Sequence, residues 1–320
     1  MIDLNEHSSL EMLQALPLWK ENEQLLSRES AGESNMNLVL RINTNLRSVI
    51  LKQSKAYVRK FPQIPAPIER IEIEHTYFQL LQGDEILKQY SPRILLYYPE
   101  EHILLIEDLG NGIDFTFLYK PASQLAYDDL ESLSKYLNAL HQLKLPNFPD
   151  NSAMKKLNHE HIFHFPFLEE NGFDLDSIQP GLQELSLTYK TDHLLKNAIS
   201  KLSKRYLADG DCLLQGDFYP GSWLKTTDGL KVIDPEFGFM GEREFDLGVF
   251  AAHLDLAQQE ESVFKDFLQL YQHPFSMELL NAYQGVEIMR RLIGIAQVPV
   301  SLDLTQKKSL LDKARMLILT

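Results

Sequence analysis

The feature that most limits how this chain can fold is a change of period near residue 109. Before it, short runs rich in branched apolar residues read as β-strands: NLVLRI (37–42), SVILKQ (48–53), PRILLYYP (92–99) and EHILLIEDL (101–109). After it, leucines recur at 130, 133, 137 and 140, and apolar residues at helical spacing fill 180–206, 277–296 and 304–319. Asn43-Thr44-Asn45 joins the first two strands as a hairpin, and Pro99-Glu100 joins the last two. A helix is expected between the hairpins, from Pro67 to about Leu81, and a short one over 9–16, stopped by Pro17. No fixed-period repeat is present, which excludes a solenoid. The prediction is an α+β chain with a small β-rich N-terminal lobe, 1–108, and a larger, mainly helical C-terminal lobe, 109–320.

Composition removes other classes. The formal charge is −14 and no dense Lys/Arg block occurs, so no nucleic-acid partner is expected. No apolar run reaches the roughly 20 residues that span a bilayer, and the N-terminus carries no signal-peptide pattern. The single cysteine, Cys212, forms no intrachain disulfide and reads as a small buried hydrophobe, in keeping with a cytoplasmic location. His159, His161 and His164 lie among phenylalanines and read as packing residues rather than metal ligands, while His141 is expected to support the site from a core helix. Taken alone, Lys52 would snorkel at the edge of its hairpin.

The chemistry concentrates in 215–248, QGDFYPGSWLKTTDGLKVIDPEFGFMGEREFDLG. Asp217 follows a strand, Ser222 comes five residues later, and Asp234 ends a short hairpin that could bring all three together. Phosphoryl transfer needs such a set: a base to orient a hydroxyl nucleophile, and oxygen ligands for the Mg²⁺ that neutralises a polyphosphate. Asp217 takes the base role here, and Asp234 with Ser222 the metal role. Each residue also has a plain structural reading: Asp217 as a turn acid, Asp234 as a strand end before Pro235, and Asp246 as the cap of a helix starting near Gly248.

These motifs, in their order, resemble those of the aminoglycoside phosphotransferase and choline kinase superfamily, and are most similar to those of methylthioribose kinases. VILKQSKAYVRK (49–60) resembles the strand-three lysine segment, IEDL (106–109) the hinge, IDPEFGFMGEREFDLG (233–248) the metal loop, and VEIMRRLIGIAQV (286–298) the helix with paired arginines. The resemblance implies a protein-kinase-like bilobal fold, ATP and Mg²⁺ as cofactors, and a small hydroxyl-bearing substrate. A homodimer stays open as an assembly. It gives Lys52 the α- and β-phosphates, with Glu74 or Glu72 orienting it. The turn of Gly32, Glu33, Ser34 and Asn35 would cover the phosphates, and the backbones of Glu107 and Leu109 would meet adenine. Arg290 and Arg291, with Glu236, would serve the acceptor, one arginine binding it and the other pairing with an acid.

Three positions depart from the family pattern. Gln215 stands where His usually precedes Gly-Asp, which retains a donor and an acceptor but no titratable ring. Ser222 stands where most members carry Asn, as in methylthioribose kinases, and KFPQIPAPIER (60–70) lacks the tryptophan of their substrate loop. The expected function is ATP-dependent phosphorylation of a sugar-like hydroxyl, methylthioribose being preferred on account of the arginines. The alternatives are a choline, amino-alcohol or aminoglycoside acceptor, or a catalytically weak nucleotide-binding module.

Overall fold

A computed structural model describes residues 2–32, 34–145 and 148–320 of the chain. Contacts divide it into two compact units. One takes the residues up to Gly112 and then Thr226–Phe237; the other takes Ile113–Lys225 and Gly238–Thr320. The first is rich in strands and the second mainly helical, the expected bilobal kinase-like α+β class.

In the first unit, α1 (Leu10–Gln14) is shorter than the predicted 9–16, and the Ser9 side chain caps it by accepting the Met12 N–H. Strands β1 (Leu25–Ser30), β2 (Leu38–Thr44) and β3 (Ser48–Gln53) follow, then the small pair β4 (Tyr57–Val58) and β5 (Phe61–Pro65), helix α2 (Arg70–Gln82), and β6 (Ile94–Tyr98) and β7 (Ile103–Glu107). The antiparallel sheet has the order β1-β2-β3-β7-β6. Strand β1 was not anticipated; its residues Ser27, Arg28 and Glu29 suit a sheet edge and mask the strand pattern.

Because side chains alternate along a strand, the sheet sorts its residues between two faces. Val49 and Leu51 of β3 join Leu38, Leu40, Ile42, Ile103, Leu105 and the N-terminal Leu4, Leu13 and Leu16 in one apolar core. Ile50 and Lys52 therefore face the opposite side. Lys52 lies opposite Val39 on β2 and Leu104 on β7, in the central strand, and is 5% exposed. It does not snorkel at an edge. Helix α2 turns Ile71, Phe78, Leu81 and Glu74 inward and leaves Glu72 exposed.

The second unit opens with β8 (Ile113–Asp114) and α3 (Tyr127–Gln142), then α4 (Ser152–His159), α5 (Leu182–Lys190), α6 (His193–Leu207), β9 (Cys212–Leu214) and β10 (Trp223–Thr226). After β11 (Gly229–Val232), which belongs to the first unit, the chain continues through β12 (Phe239–Gly241), α7 (Glu244–Leu256), α8 (Glu261–Leu270), α9 (Met277–Ile293) and α10 (Leu304–Leu319). Helix α4 was not predicted; it runs into a π-helical turn, Glu160–His164. Ile162, Phe163 and Phe167 are buried there, with the Phe163 ring 5.1 Å from that of Tyr206, so this aromatic segment is packing.

Helix α9 is enclosed from two directions. A Cβ on Gly248 of α7 would lie 2.7 Å from Tyr283 Cβ and 2.9 Å from Gln284 N, and one on Gly285 would lie 2.5 Å from the Ala314 carbonyl oxygen of α10. Only glycine permits these approaches. Every residue from Tyr283 to Ile293 is buried in consequence, including Glu287, Arg290 and Arg291, which must find their partners inside the unit.

Candidate active site

Of the predicted site residues, Lys52, Glu74 and Asp234 meet in the first unit, and Gln215, Asp217, Ser222, Arg290 and Arg291 meet in the second. In the second unit, β9 pairs with β12 through Leu214 and Phe239, and the chain leaves β9 into a tight turn at Gly216, whose φ of +82° is a left-handed conformation favouring glycine. Asp246 lies in the first turn of α7, not before a helix starting at Gly248, and is fully buried. Its carboxylate accepts the Gln215 N–H at 2.8 Å and the Gly216 N–H at 3.0 Å. His141 Nε2 lies 3.3 Å from it, and His141 Nδ1 is 2.8 Å from the Tyr271 hydroxyl. Burial lowers the His141 pKa against the pull of Asp246, so a neutral ring supports the loop.

Within the loop, the Gln215 side chain accepts the Asp217 N–H at 2.7 Å, and the Ser222 hydroxyl donates to the Asp217 carbonyl at 2.9 Å. These bonds fix the backbone on both sides of the Asp217 side chain. Its Oδ1 receives Arg290 Nη2 and Arg291 Nη2, each at 3.0 Å. Both arginines, rather than one alone, pair with acids: both hold Asp217, and both also reach Glu287, at 2.7 Å from Arg291 Nε and through Nε of Arg290. The Arg291 guanidinium also lies 4.8 Å from the centre of the Tyr219 ring. Burial pushes the Asp217 carboxyl up, and the two guanidiniums pull it back toward ionisation.

In the first unit, Lys52 Nζ donates to Glu74 Oε1 at 2.5 Å and to Asp234 Oδ1. Glu74, not Glu72, is the lysine's partner. Burial would lower the Lys52 pKa, but Asp234 and Glu74 together raise it, so the ammonium stays charged. Glu74 is itself raised by burial, and its Oε2 is enclosed with no hydrogen-bond partner among the described residues. Asp234 adopts φ +56°, a left-handed conformation rather than the extended one expected before proline. Such strain at a non-glycine residue costs on the order of 1–3 kcal/mol and persists where the surroundings enforce it. Here it turns the carboxylate to Lys52.

Glu236, expected near the acceptor, is instead 5% exposed inside the first unit, 2.8 Å from Asn37 Nδ2 and 3.3 Å from Arg70 Nε. Burial, opposed by Arg70, pushes its carboxyl up to about 8. Gly32 adopts φ +97°, a left-handed conformation favouring glycine, while Ser34 Oγ accepts the Asn37 N–H at 3.3 Å and the Asn35 carbonyl accepts the Lys60 N–H at 3.0 Å. Glu33 of that turn lies outside the described residues. At the end of β7 the Glu107 carboxylate pairs with Arg93 at 2.9 Å, and Leu109 is half-buried. Between them Asp108, overlooked in the sequence, accepts from Arg41 Nε at 2.8 Å, Ser48 Oγ at 2.5 Å and the Gly110 N–H at 3.0 Å, and so holds the segment in place.

The sequence profile of the phosphotransferase enzyme family matches residues 32–283, most of the chain, including Lys52, Glu74, Asp217 and Asp234 and ending before Arg290 and Arg291. The chain belongs to this family. Membership carries the coarse activity, ATP-dependent phosphoryl transfer to a small molecule. Among relatives of this phosphotransferase, the methylthioribose kinase of Geobacillus sp. (strain WCH70) is 27% identical over 92% of this chain and 84% of that enzyme. The methylthioribose kinase of Geobacillus kaustophilus (strain HTA426) is 30% identical over 78% of this chain and 65% of its own length. The crystal structure of choline kinase LicA from Streptococcus pneumoniae superposes with a TM-score of 0.54 at 16% identity, covering 92% of this chain and 93% of that one, a likeness of fold.

A phosphotransferase of this fold implies Mg²⁺ with ATP. Mg²⁺ takes one or two protein carboxylates and fills its shell with phosphate oxygens and water. The Asp234 carboxylate, 46% exposed with one oxygen on Lys52, is a hard oxygen donor of the right kind, so the residue fits. Among the described residues no helix is long and apolar enough to cross a membrane.

Proposed function

We propose that this phosphotransferase transfers the γ-phosphoryl group of ATP to a hydroxyl of a neutral, sugar-like acceptor, with methylthioribose the preferred candidate. The convergence of Arg290 and Arg291 on Asp217 Oδ1 carries this reading. In phosphoryl transfer the carboxylate mainly orients the attacking hydroxyl and takes its proton late. Asp217 has that role, with Gln215 holding its amide and Ser222 its carbonyl. The two guanidiniums are matched by the carboxylates of Asp217 and Glu287. A choline or aminoglycoside cation finds no carboxylate in this set without a cation already on it, whereas a polyol finds planar hydrogen-bond donors.

The first unit takes the nucleotide in this account. Lys52, oriented by Glu74, binds the α- and β-phosphates, the turn at Gly32, Ser34 and Asn35 covers them, and Glu107 and Leu109 present their backbones to adenine. Asp234 would hold the Mg²⁺, and bound there the ion would neutralise charge developing on the phosphates. The second unit takes the acceptor. The identities of 27% and 30% to methylthioribose kinases support the choice of acceptor.

The test is turnover with ATP and Mg²⁺ against methylthioribose, other pentoses, choline, ethanolamine and aminoglycosides, followed by ³¹P NMR of the products. A sugar phosphate formed with the highest kcat/KM in the panel is expected. Preferential phosphorylation of choline or an aminoglycoside would overturn the acceptor assignment, and binding of ATP without product from any acceptor would favour a nucleotide-binding module.

A further inference from the structure

Arg290 and Arg291 are consecutive on a helix, so their side chains leave it about 100° apart. Left to themselves they would serve different neighbours, yet both reach one oxygen of Asp217. The geometry of α9 identifies what turns them together. Glu287 precedes them by three and four residues, which puts it one turn earlier and, at about 100° per residue, at an azimuth between the two. Helix side chains lean toward the N-terminus, so both arginines extend over it. Its two carboxylate oxygens divide the pair: Oε2 accepts Arg290 Nε, and Oε1 accepts Arg291 Nε at 2.7 Å. Each guanidinium thus uses Nε on Glu287 and turns Nη2 to Asp217.

Glu287 is anchored in turn. His253 Nε2 lies 3.0 Å from Glu287 Oε1, and His253 Nδ1 lies 2.6 Å from the Tyr119 hydroxyl. His253 is fully buried, Glu287 is 1% exposed and Tyr119 4%. Burial favours the neutral forms of His253 and Tyr119. The directions then follow: the phenol donates to Nδ1, and the Nε2–H donates to Glu287. Burial would raise Glu287, but Arg290, Arg291 and His253 hold it well below the usual carboxylate range.

We infer that Glu287, braced by His253 and Tyr119, is the positioning residue that aligns Arg290 and Arg291 on Asp217 and thereby sets the acceptor affinity of the enzyme. It touches neither nucleotide nor acceptor; it acts through the arginines. The inference rests on the proposed function for its kinetic consequence, and its geometry stands apart from that reading.

The test compares wild type, Glu287→Gln and Tyr119→Phe in the full chain, reading the Michaelis constants for acceptor and ATP separately and the ¹⁵N-resolved Nε–H resonances of the arginines. A neutral amide cannot accept from two guanidiniums as a carboxylate does, so Glu287→Gln should lower kcat/KM for the acceptor about 100-fold, with the KM for ATP held within about twofold. Tyr119→Phe removes only the far end of the chain of hydrogen bonds and should raise the acceptor KM up to about tenfold, while shifting the Arg291 Nε–H resonance. If Glu287→Gln does not fold, Tyr119→Phe decides: an unchanged acceptor KM together with an unmoved Arg291 resonance overturns the inference. Equal losses toward acceptor and ATP in either variant also overturn it. Wild-type enzyme that phosphorylates no acceptor would instead sink the proposed function, and the resonances would still decide whether Glu287 aligns the arginines.

Discussion

The Asp246 carboxylate accepts the backbone N–H of Gln215 at 2.8 Å, so a fully buried acid on α7 holds the loop that carries Asp217. The Gly216 N–H and His141 complete its shell. In Asp246→Asn the side-chain amide has one acceptor oxygen for two N–H donors and brings donors of its own against them. A loss of about 2–4 kcal/mol in unfolding free energy and a fall in kcat are expected. Denaturant unfolding alongside turnover checks both; wild-type behaviour in both would show that the loop does not depend on Asp246.

Lys52 connects Glu74 and Asp234 within the first unit. Lys52→Met keeps the apolar stem and removes the ammonium, leaving Glu74 buried without its cation and therefore protonated. The KM for ATP should rise about tenfold or more and kcat fall about 100-fold. Isothermal titration with an ATP analogue and steady-state kinetics provide the check. Glu74→Gln, which keeps the ammonium but loosens its orientation, should show a milder form of the same defect.

His253 sets a pH dependence of stability. Burial moves its pKa from 6.5 in the unfolded chain to about 4 in the folded protein, so between these values the unfolded state binds the proton and the folded state refuses it. Stability from this group is complete above pH 6.5 and is lost as pH falls toward 4, by an amount on the order of 3 kcal/mol. His253→Gln retains hydrogen-bonding ends without the titration. Its unfolding free energy should fall less between pH 7 and 4 than that of wild type, as measured by denaturant titrations at a series of pH values; parallel pH profiles would contradict the assignment.

Much of the candidate site could be proposed from the chain because its signals are local. The β2–β3 hairpin is written in branched residues and a turn, and Lys52, Asp217 and Asp234 stand in short motifs. What escaped is held by distant partners. Asp246 reads as a helix cap, yet the amides it accepts lie 30 and 31 residues earlier. Glu287 looks like one more polar residue of an amphipathic helix until α7 and α10 close over α9 and leave no solvent for it. Strand β12 has three residues, too few for an alternation, and is defined by pairing with β9. The left-handed Asp234 runs against the local preference before Pro235 and is held by its ion pair with Lys52.

Arg291→Lys tests whether the planar fork matters at the base. A lysine keeps the charge but cannot bond Glu287 through Nε, Asp217 through Nη2 and the Ala296 carbonyl through Nη1 at once, nor lie flat near the Tyr219 ring. The KM for the acceptor should rise by about tenfold to 100-fold, with the KM for ATP unchanged. Initial-rate kinetics with each substrate varied in turn read the two effects apart.

Asp217→Asn removes the proposed base itself, with phosphorylated product followed by ³¹P NMR in the presence of ATP, Mg²⁺ and the preferred sugar-like acceptor. The variant keeps the shape of the carboxylate and loses its charge. Turnover should fall by about 100-fold to 10,000-fold, with ATP binding retained. Undiminished turnover in this variant would contradict the assignment of Asp217 as the base.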